Sequence, residues 1–236
     1  MNSPHPSPLP LGEGKIIVIT GATGALGNKT AHEFAECGYS LALLDYDQTK
    51  LDSLVGELNL PEDRLFATVV DLRDGQPVRD AAESVSKKFG VDAIHGLIHL
   101  VGGWVGGKTI PETPIEDLEN MLGQHVWTTF HLFQAFSPKL AAGGWGRVIT
   151  ISPSTVANPP AERGVYTATK AAQENLVLTL AAELKDSGVT ANIIQVYAID
   201  VENKGTGTTP TAIVATMQYL FSDQAGKVNG ARIPLY

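Results

Sequence analysis

The chain reads as an α/β protein: a single domain built on a doubly wound parallel sheet of about seven strands flanked by helices. Two observations predict this. Short β-branched or apolar runs alternate with amphipathic segments from Lys15 to the C-terminus without a linker, and the first such run feeds straight into a glycine-punctuated turn, Thr20-Gly21-Ala22-Thr23-Gly24-Ala25-Leu26-Gly27. With 43% hydrophobic and 18% charged residues in 236, the composition supplies a core large enough for one such domain. The domain is assigned to residues 15–236, and the proline-rich stretch 1–14 to a flexible tail.

The elements follow in order. Lys15–Thr20 is a buried strand ending at glycine, and Ala25–Cys37 a helix. Ser40–Leu44 is the second strand, Gln48–Leu58 a helix, Arg64–Val70 the third strand, Gln76–Phe89 a helix with one apolar face, and Ala93–Leu100 the fourth strand. After the glycine-rich loop Val101–Gly107, Ile115–Leu140 reads as one long helix and Arg147–Ser152 as the fifth strand, bracketed by Gly143, Gly144 and Gly146. Val165–Ser187 is a helix, Thr190–Tyr197 the sixth strand, Thr211–Phe221 a shorter helix, and Ala231–Leu235 closes the sheet.

Composition excludes several classes of function. A formal net charge of -8 and the absence of a Lys/Arg cluster argue against nucleic-acid binding. Cys37, the single cysteine, cannot form an internal disulfide and reads as a packed thiol. Met1–Gly14 has neither the basic start nor the apolar run of a signal peptide, and no segment approaches the roughly 20 apolar residues of a membrane span. A soluble, cytoplasmic protein without membrane partners is expected. His5, His32, His95 and His131 show no ligand spacing with Cys or carboxylates, so no metal site is expected.

The glycine turn points to a dinucleotide. A pyrophosphate needs main-chain N–H groups close by and a helix N-terminus aimed at it, which Gly21, Gly24 and Gly27 permit, with Thr23, Ala25 and Leu26 in the same turn. Asp45 ends the second strand roughly 20 residues beyond the turn, where a carboxylate can hold the adenine ribose hydroxyls. A 2′-phosphate at ~4 Å from it would meet repulsion of up to about 4 kcal/mol per unit charge at an effective dielectric of about 20, so NAD(H) is expected over NADP(H). Lys29 and Lys50 are the cations that could offset this, and a helix-capping role is the alternative for Asp45.

Far downstream, Tyr166-Thr167-Ala168-Thr169-Lys170 places a phenol and an amine four residues apart on one helix face. With the glycine turn, this sequence resembles the short-chain dehydrogenase/reductase family, whose fold is of the Rossmann type. The resemblance implies that Tyr166 is a catalytic acid, that Lys170 tunes it and bonds the nicotinamide ribose, that Asp71 and Leu72 meet the adenine, that Gly102 approaches the cofactor, and that the chain pairs as a homodimer or homotetramer through its long helices. An ammonium at ~4 Å could stabilise the phenolate by about 4 kcal/mol before desolvation opposes it, and about 1.36 kcal/mol corresponds to one pKa unit.

The family pattern is incomplete here. The serine position falls on Pro153, which has no hydroxyl; Ser152 and Ser154 flank it, and Ser154 could take over the role with a shift of the loop. The helix asparagine becomes His125, and Asn-Asn-Ala-Gly becomes His99-Leu100-Val101-Gly102, in which His99 reads as a packed residue. The segments Gly102-Gly103-Trp104-Val105-Gly106-Gly107 and Gln124-His125-Val126-Trp127-Thr128 resemble the quinonoid dihydropteridine reductase branch, which also lacks the serine. That likeness implies a small planar imine or carbonyl substrate, with Gln124 and His125 beside it and Trp104 as a stacking surface, unless Trp104 simply fills the core. The alternatives are a noncatalytic NAD-binding scaffold and an ordinary alcohol dehydrogenase using Ser154.

Overall fold

Apolar side chains that alternate along a strand need cover on both faces, and the strands of this chain carry them on both. In the computed structural model, which describes residues 12–236, seven parallel strands form one sheet in the order β3-β2-β1-β4-β5-β6-β7. They are β1 (Ile16–Thr20), β2 (Ser40–Asp45), β3 (Leu65–Val69), β4 (Gly96–His99), β5 (Gly146–Pro153), β6 (Val189–Val196) and β7 (Arg232–Pro234). Ile17 and Ile19 of β1 face α1 (Ala25–Glu36), α2 (Gln48–Leu58) and α7 (Pro210–Leu220). Ile16 and Val18 face the other layer, made of α3 (Gly75–Phe89), α5 (Thr128–Ala142) and α6 (Gly164–Glu183). Strand order reverses between β1 and β4, so a crevice opens beyond their carboxyl ends.

The long helix expected over 115–140 is interrupted. Its first part, α4 (Ile115–Met121), runs into a π-helical segment, Leu122–Trp127, before α5 begins. Apolar periodicity cannot reveal one inserted residue, and such segments are found mostly at functional sites. α6 ends at Glu183, short of Ser187, because residues 184–188 turn through Gly188 at φ +75°. β4 starts at Gly96 rather than Ala93, since Ile94 N–H is taken by Lys139 of α5. The tail expected over 1–14 falls outside the described residues as far as 11; Gly12 is anchored, its N–H donating to Cys37 and its Cα lying on the ring of Tyr39. Cys37 is half-buried and accepts a hydrogen bond from Gln218 at 3.4 Å.

Arg147 ties the two layers together. Its buried guanidinium donates to the Leu220 carbonyl at the end of α7 (2.9 Å) and to Gly146 and Gly188 (2.8 and 3.3 Å), and stacks on Trp145 at 4.2 Å. Removing this cation would take a donor from each of these carbonyls. Arg147→Met is expected to destabilise the fold by about 2–4 kcal/mol, read as a lower denaturant midpoint at unchanged slope.

Candidate active site

The turn after β1 is built for close approach. Gly21 sits at φ +67°, and a Cβ on Gly27 would fall 2.1 Å from the Gly21 carbonyl, so neither position accepts another residue without moving the chain. The N-cap of α1, Gly24, offers no side chain, and the first helical bond runs from Asn28 to Gly24. The N–H groups of Ala25, Leu26 and Gly27 therefore stand at the helix end without intrahelical acceptors, an arrangement suited to an anionic ligand.

Asp45 is buried at the end of β2 with its carboxylate against this turn. Oδ2 accepts from Thr23 N–H at 2.9 Å, and Oδ1 from Tyr46 and Asp47 N–H at 2.8 and 3.3 Å. It is not a helix cap: Asp47 caps α2, accepting from Lys50 N–H at 3.1 Å. Neither nearby lysine reaches Asp45, since Lys29 pairs with Glu33 (2.6 Å) and Lys50 with Asp47 (3.3 Å). At the end of β3, Asp71 is held by Arg73, whose Nε and Nη2 donate at 3.0 and 2.9 Å; this pairing keeps its carboxyl below the usual range. Leu72 lies in the core with His131 Nδ1 3.2 Å from its carbonyl.

Lys170 is fully enclosed. Its ammonium donates to the Ile151 carbonyl (3.1 Å) and to Gln173 Oε1 (2.8 Å). The Gln173 amide donates to Thr129 Oγ1 (2.8 Å) and to the His125 carbonyl (3.3 Å) within the π-helical segment. Burial pushes the Lys170 amine down to about 8, and buried Glu174 opposes that shift. Tyr166, one turn earlier, is half-buried, and burial raises its phenol above the ordinary value, with Arg163 opposing. The downward tuning of Tyr166 by Lys170 expected from their spacing is thus not what the site displays. Burial sets the direction of the shift, and the amine is directed to the Ile151 carbonyl and Gln173.

Two neutral histidines line this interior. The His125 ring packs edge-on against Tyr166 at 5.6 Å, with Nδ1 2.9 Å from Thr169 Oγ1. Nε2 faces the Gly103 backbone, 3.3 Å from its N–H and 3.1 Å from its carbonyl, so the tautomer decides which of these bonds and which way the Thr169 bond is made. His99 is packed between Thr20 and Thr128, at 2.7 and 3.3 Å, in agreement with its reading as a packed residue. Gly102 lies where these groups meet: a Cβ there would sit 3.3 Å from His125 Nε2 and 3.4 Å from Lys170 Nζ.

The serines are divided. Ser152 Oγ is buried on β5 without a hydrogen-bond partner, while Ser154 is half-buried in the single turn Ser154–Val156 that follows the strand. A cavity of about 620 Å³ opens beside this turn, with Trp104, Thr155, Asn158, Glu162, Arg163 and Tyr197 in its lining, and neither Ser154 nor Tyr166 is among its walls. Trp104 is 58% exposed, which rules out core filling. Gln124 instead packs its side chain on Gly103 and bonds Asn120 at 3.0 Å. A second cavity of about 480 Å³ lies between Ala25 and Lys29 of α1 and the segment 200–211, where Asp200 accepts from the N–H groups of Lys204, Gly205 and Thr206.

Sequence reasoning passed over Gln173 and Arg163. Gln173 stands three residues after Lys170 on the same helix face, and that spacing was the available signal. Nothing in the sequence marked Arg163.

Residues 15–210 match the sequence profile of the short chain dehydrogenase family. The chain is 28% identical over 187 residues to a 7alpha-hydroxysteroid dehydrogenase of Escherichia coli, covering 79% of this chain and 72% of that protein. It is 27% identical over 195 residues to a 2,3-dihydroxy-2,3-dihydro-p-cumate dehydrogenase of Pseudomonas putida, covering 82% and 74%. Among solved structures, a short-chain type dehydrogenase/reductase from Mycobacterium ulcerans superposes with a TM-score of 0.86 at 21% identity, covering 95% of this chain and 89% of that one. An NAD+-bound xylitol dehydrogenase superposes with a TM-score of 0.82 at 22% identity, covering 94% and 98%. Among the described residues, no helix is long and apolar enough to cross a membrane.

The two histidines set the response to acid. Both are pushed down to about 3 from 6.5, by burial first and by the charge of Lys170 second. The unfolded chain takes up their protons near 6.5, so it binds more protons than the folded state throughout the window down to about 3, and stability falls as pH drops through it. Each site should cost on the order of 3 kcal/mol by about pH 4. His99→Gln is expected to flatten the fall in stability between pH 6.5 and 4, measured by urea denaturation at each pH.

Proposed function

The chain belongs to the short-chain dehydrogenase/reductase family, and from that premise we propose that this oxidoreductase is an NADH-dependent reductase of small planar imine or carbonyl substrates, a quinonoid dihydropterin among them. The observation that carries this reading is the placing of Tyr166 and Lys170 one turn apart on α6, with Lys170 buried beside Gly102 at the crevice. Bound nicotinamide would supply the hydride; the glycine turn, Asp45, Gly102 and Lys170 are the groups that fit it.

What the residues of the chain supply is a proton and a shape. A phenol raised by burial stays protonated at neutral pH and is therefore a donor, the role reduction requires. Pro153 offers no hydroxyl to polarise a carbonyl, which favours acceptors that are already electron-poor, such as a cross-conjugated ring imine. Trp104, exposed over the cavity, provides a flat face for such a ring. NADH rather than NADPH is supported by the buried carboxylate of Asp45 and by the engagement of Lys29 and Lys50 with Glu33 and Asp47. Exposed Trp127 and Phe130 on the long helix support assembly as a homodimer or homotetramer.

NADH oxidation measured with a quinonoid dihydropterin beside a ketone and quinone panel should show turnover, with NADPH poorer by at least tenfold in kcat/KM. Tyr166→Phe should lower kcat by about 10²–10⁴-fold while NADH still binds. NADH binding without turnover of any acceptor would instead indicate a noncatalytic nucleotide-binding protein, and ketone turnover lost in Ser154→Ala an ordinary alcohol dehydrogenase. Because Lys170 carries its proton below about 8 and loses it above, activity should fall as pH rises through that value. Lys170→Arg, whose side chain stays charged, should lose that limb of the profile.

A further inference from the structure

Gln173 is 1% exposed on α6, and a carboxamide shut away from water needs partners for both of its ends. It has them. Nε2 donates to Thr129 Oγ1 at 2.8 Å and to the His125 carbonyl at 3.3 Å, and Oε1 accepts from the Lys170 ammonium at 2.8 Å. One orientation of the amide satisfies this set. Thr129 gives its hydroxyl hydrogen to the His125 carbonyl at 2.6 Å, so its oxygen is left to accept from Gln173, and an ammonium has no lone pair with which to meet an N–H. Turning the amide over would set its oxygen against the His125 carbonyl and an N–H against the ammonium.

The ammonium is thereby aimed. Of its three N–H bonds, two are engaged inside the protein, by Gln173 and by the Ile151 carbonyl at 3.1 Å, and among the described residues no third acceptor meets it. Beside it stands Gly102, where a Cβ would come 3.4 Å from Nζ and 3.3 Å from His125 Nε2, so glycine keeps side-chain atoms out of the space next to the amine. Gly102 belongs to the loop that follows β4, at the crevice where the strand order reverses.

We infer that Gln173 is a positioning residue: with the Ile151 carbonyl it turns the Lys170 ammonium so that the remaining N–H is presented to the ribose of a bound nucleotide, and it ties that orientation to the π-helical segment through Thr129 and the His125 carbonyl. This inference rests on the reductase reading above and adds to it a residue that acts through Lys170 without touching cofactor or substrate.

An acceptor bonds an ammonium more strongly than a neutral amine, so Gln173 also favours the charged form of Lys170. The titratable groups around the amine are His99 from β4, His125 from the π-helical segment, and Tyr166 and Glu174 from α6. Burial keeps both imidazoles neutral and Tyr166 protonated, and the Glu174 carboxylate is bonded by Arg232 Nε at 2.5 Å and Gln195 Nε2 at 3.2 Å. The Lys170 amine, brought down by burial to about 8, is the group that a mildly alkaline titration reads.

The test follows that titration directly, by the carbon-13 shift of lysine Cε in the nucleotide-free full chain, assigned with Lys170→Arg, and sets beside it the pH dependence of NADH binding measured by fluorescence. Gln173→Met keeps the volume and removes the acceptor, and should move the Lys170 midpoint down by about one unit; Gln173→Glu places a carboxylate there and should move it up by about one unit. Thr129→Val, which removes the partner that fixes the amide, should give a smaller downward shift and keeps the test open if Gln173→Met does not fold. NADH should bind Gln173→Met at least fivefold more weakly than the parent at neutral pH, and the alkaline loss of NADH affinity should move with the Lys170 midpoint in every variant. Folding is checked by urea denaturation, since a merely structural role lowers stability without shifting the midpoint in opposite directions. Equal Lys170 midpoints in the parent and all folded variants, or shifted midpoints with unchanged NADH affinity, overturn the positioning role and leave the reductase reading standing. Failure of the parent to bind NADH overturns both.

Discussion

The constraint on which the site depends is the burial of one ammonium. A lysine removed from water must find acceptors or give up its proton, and Lys170 does some of each: it donates to the Ile151 carbonyl and to Gln173, and its amine is depressed to about 8. Gln173 can serve only because its own amide is held by Thr129 and by the carbonyl of His125. That carbonyl lies in the π-helical segment between α4 and α5, where the regular i to i−4 ladder is broken. The distortion of one helix and the position of an ammonium on another are thus parts of a single hydrogen-bonded chain.

The same charge fixes the state of its neighbours. His99 and His125 lie in the same interior as Lys170, and burial together with that cation keeps both imidazoles neutral. Neutral imidazoles accept as well as donate, which lets His125 bridge Thr169 and the Gly103 backbone and lets His99 bridge Thr20 and Thr128. His125 also buttresses the ring of Tyr166 edge-on. A charged imidazole at either position would repel the ammonium.

Much of this was legible in the residues, and what was not has a physical cause. β1, the turn through Gly21 and Gly27, and the Tyr166/Lys170 pair follow from local rules, since strand burial, positive φ and helix periodicity act over a few residues. The parallel sheet needed only the repeated alternation of strand and helix, whereas its strand order did not follow from it, because the same alternation is compatible with more than one order. The π-helical segment escaped because an inserted residue leaves hydrophobic spacing nearly unchanged, and Gln173 because a polar residue on a helix carries no mark of its partner. The direction of the Tyr166 shift escaped for another reason. Spacing gives the attraction between a phenolate and an ammonium, whereas the opposing desolvation depends on everything packed around the ring.

On the proposed reductase reading, the lack of a serine hydroxyl at Pro153 and the presence of Tyr166 and Lys170 are reconciled by where the work of catalysis falls. A saturated ketone needs its oxygen polarised before hydride arrives, and a donor beside the phenol provides that. With Pro153 in that place, the remaining help must come from the substrate's own electron deficiency or from holding it in register with the phenol. The second route is available here. Trp104 from the glycine-rich loop and Arg163 from the start of α6, which line the cavity, lie on elements whose positions are already set by the His125–Gly103 contact and by the burial of Lys170 on the same helix. Positioning energy drawn from parts of the substrate remote from the reacting bond can replace a missing polarising group, provided the surfaces that supply it are rigid relative to the proton donor. The network around Lys170 provides that rigidity.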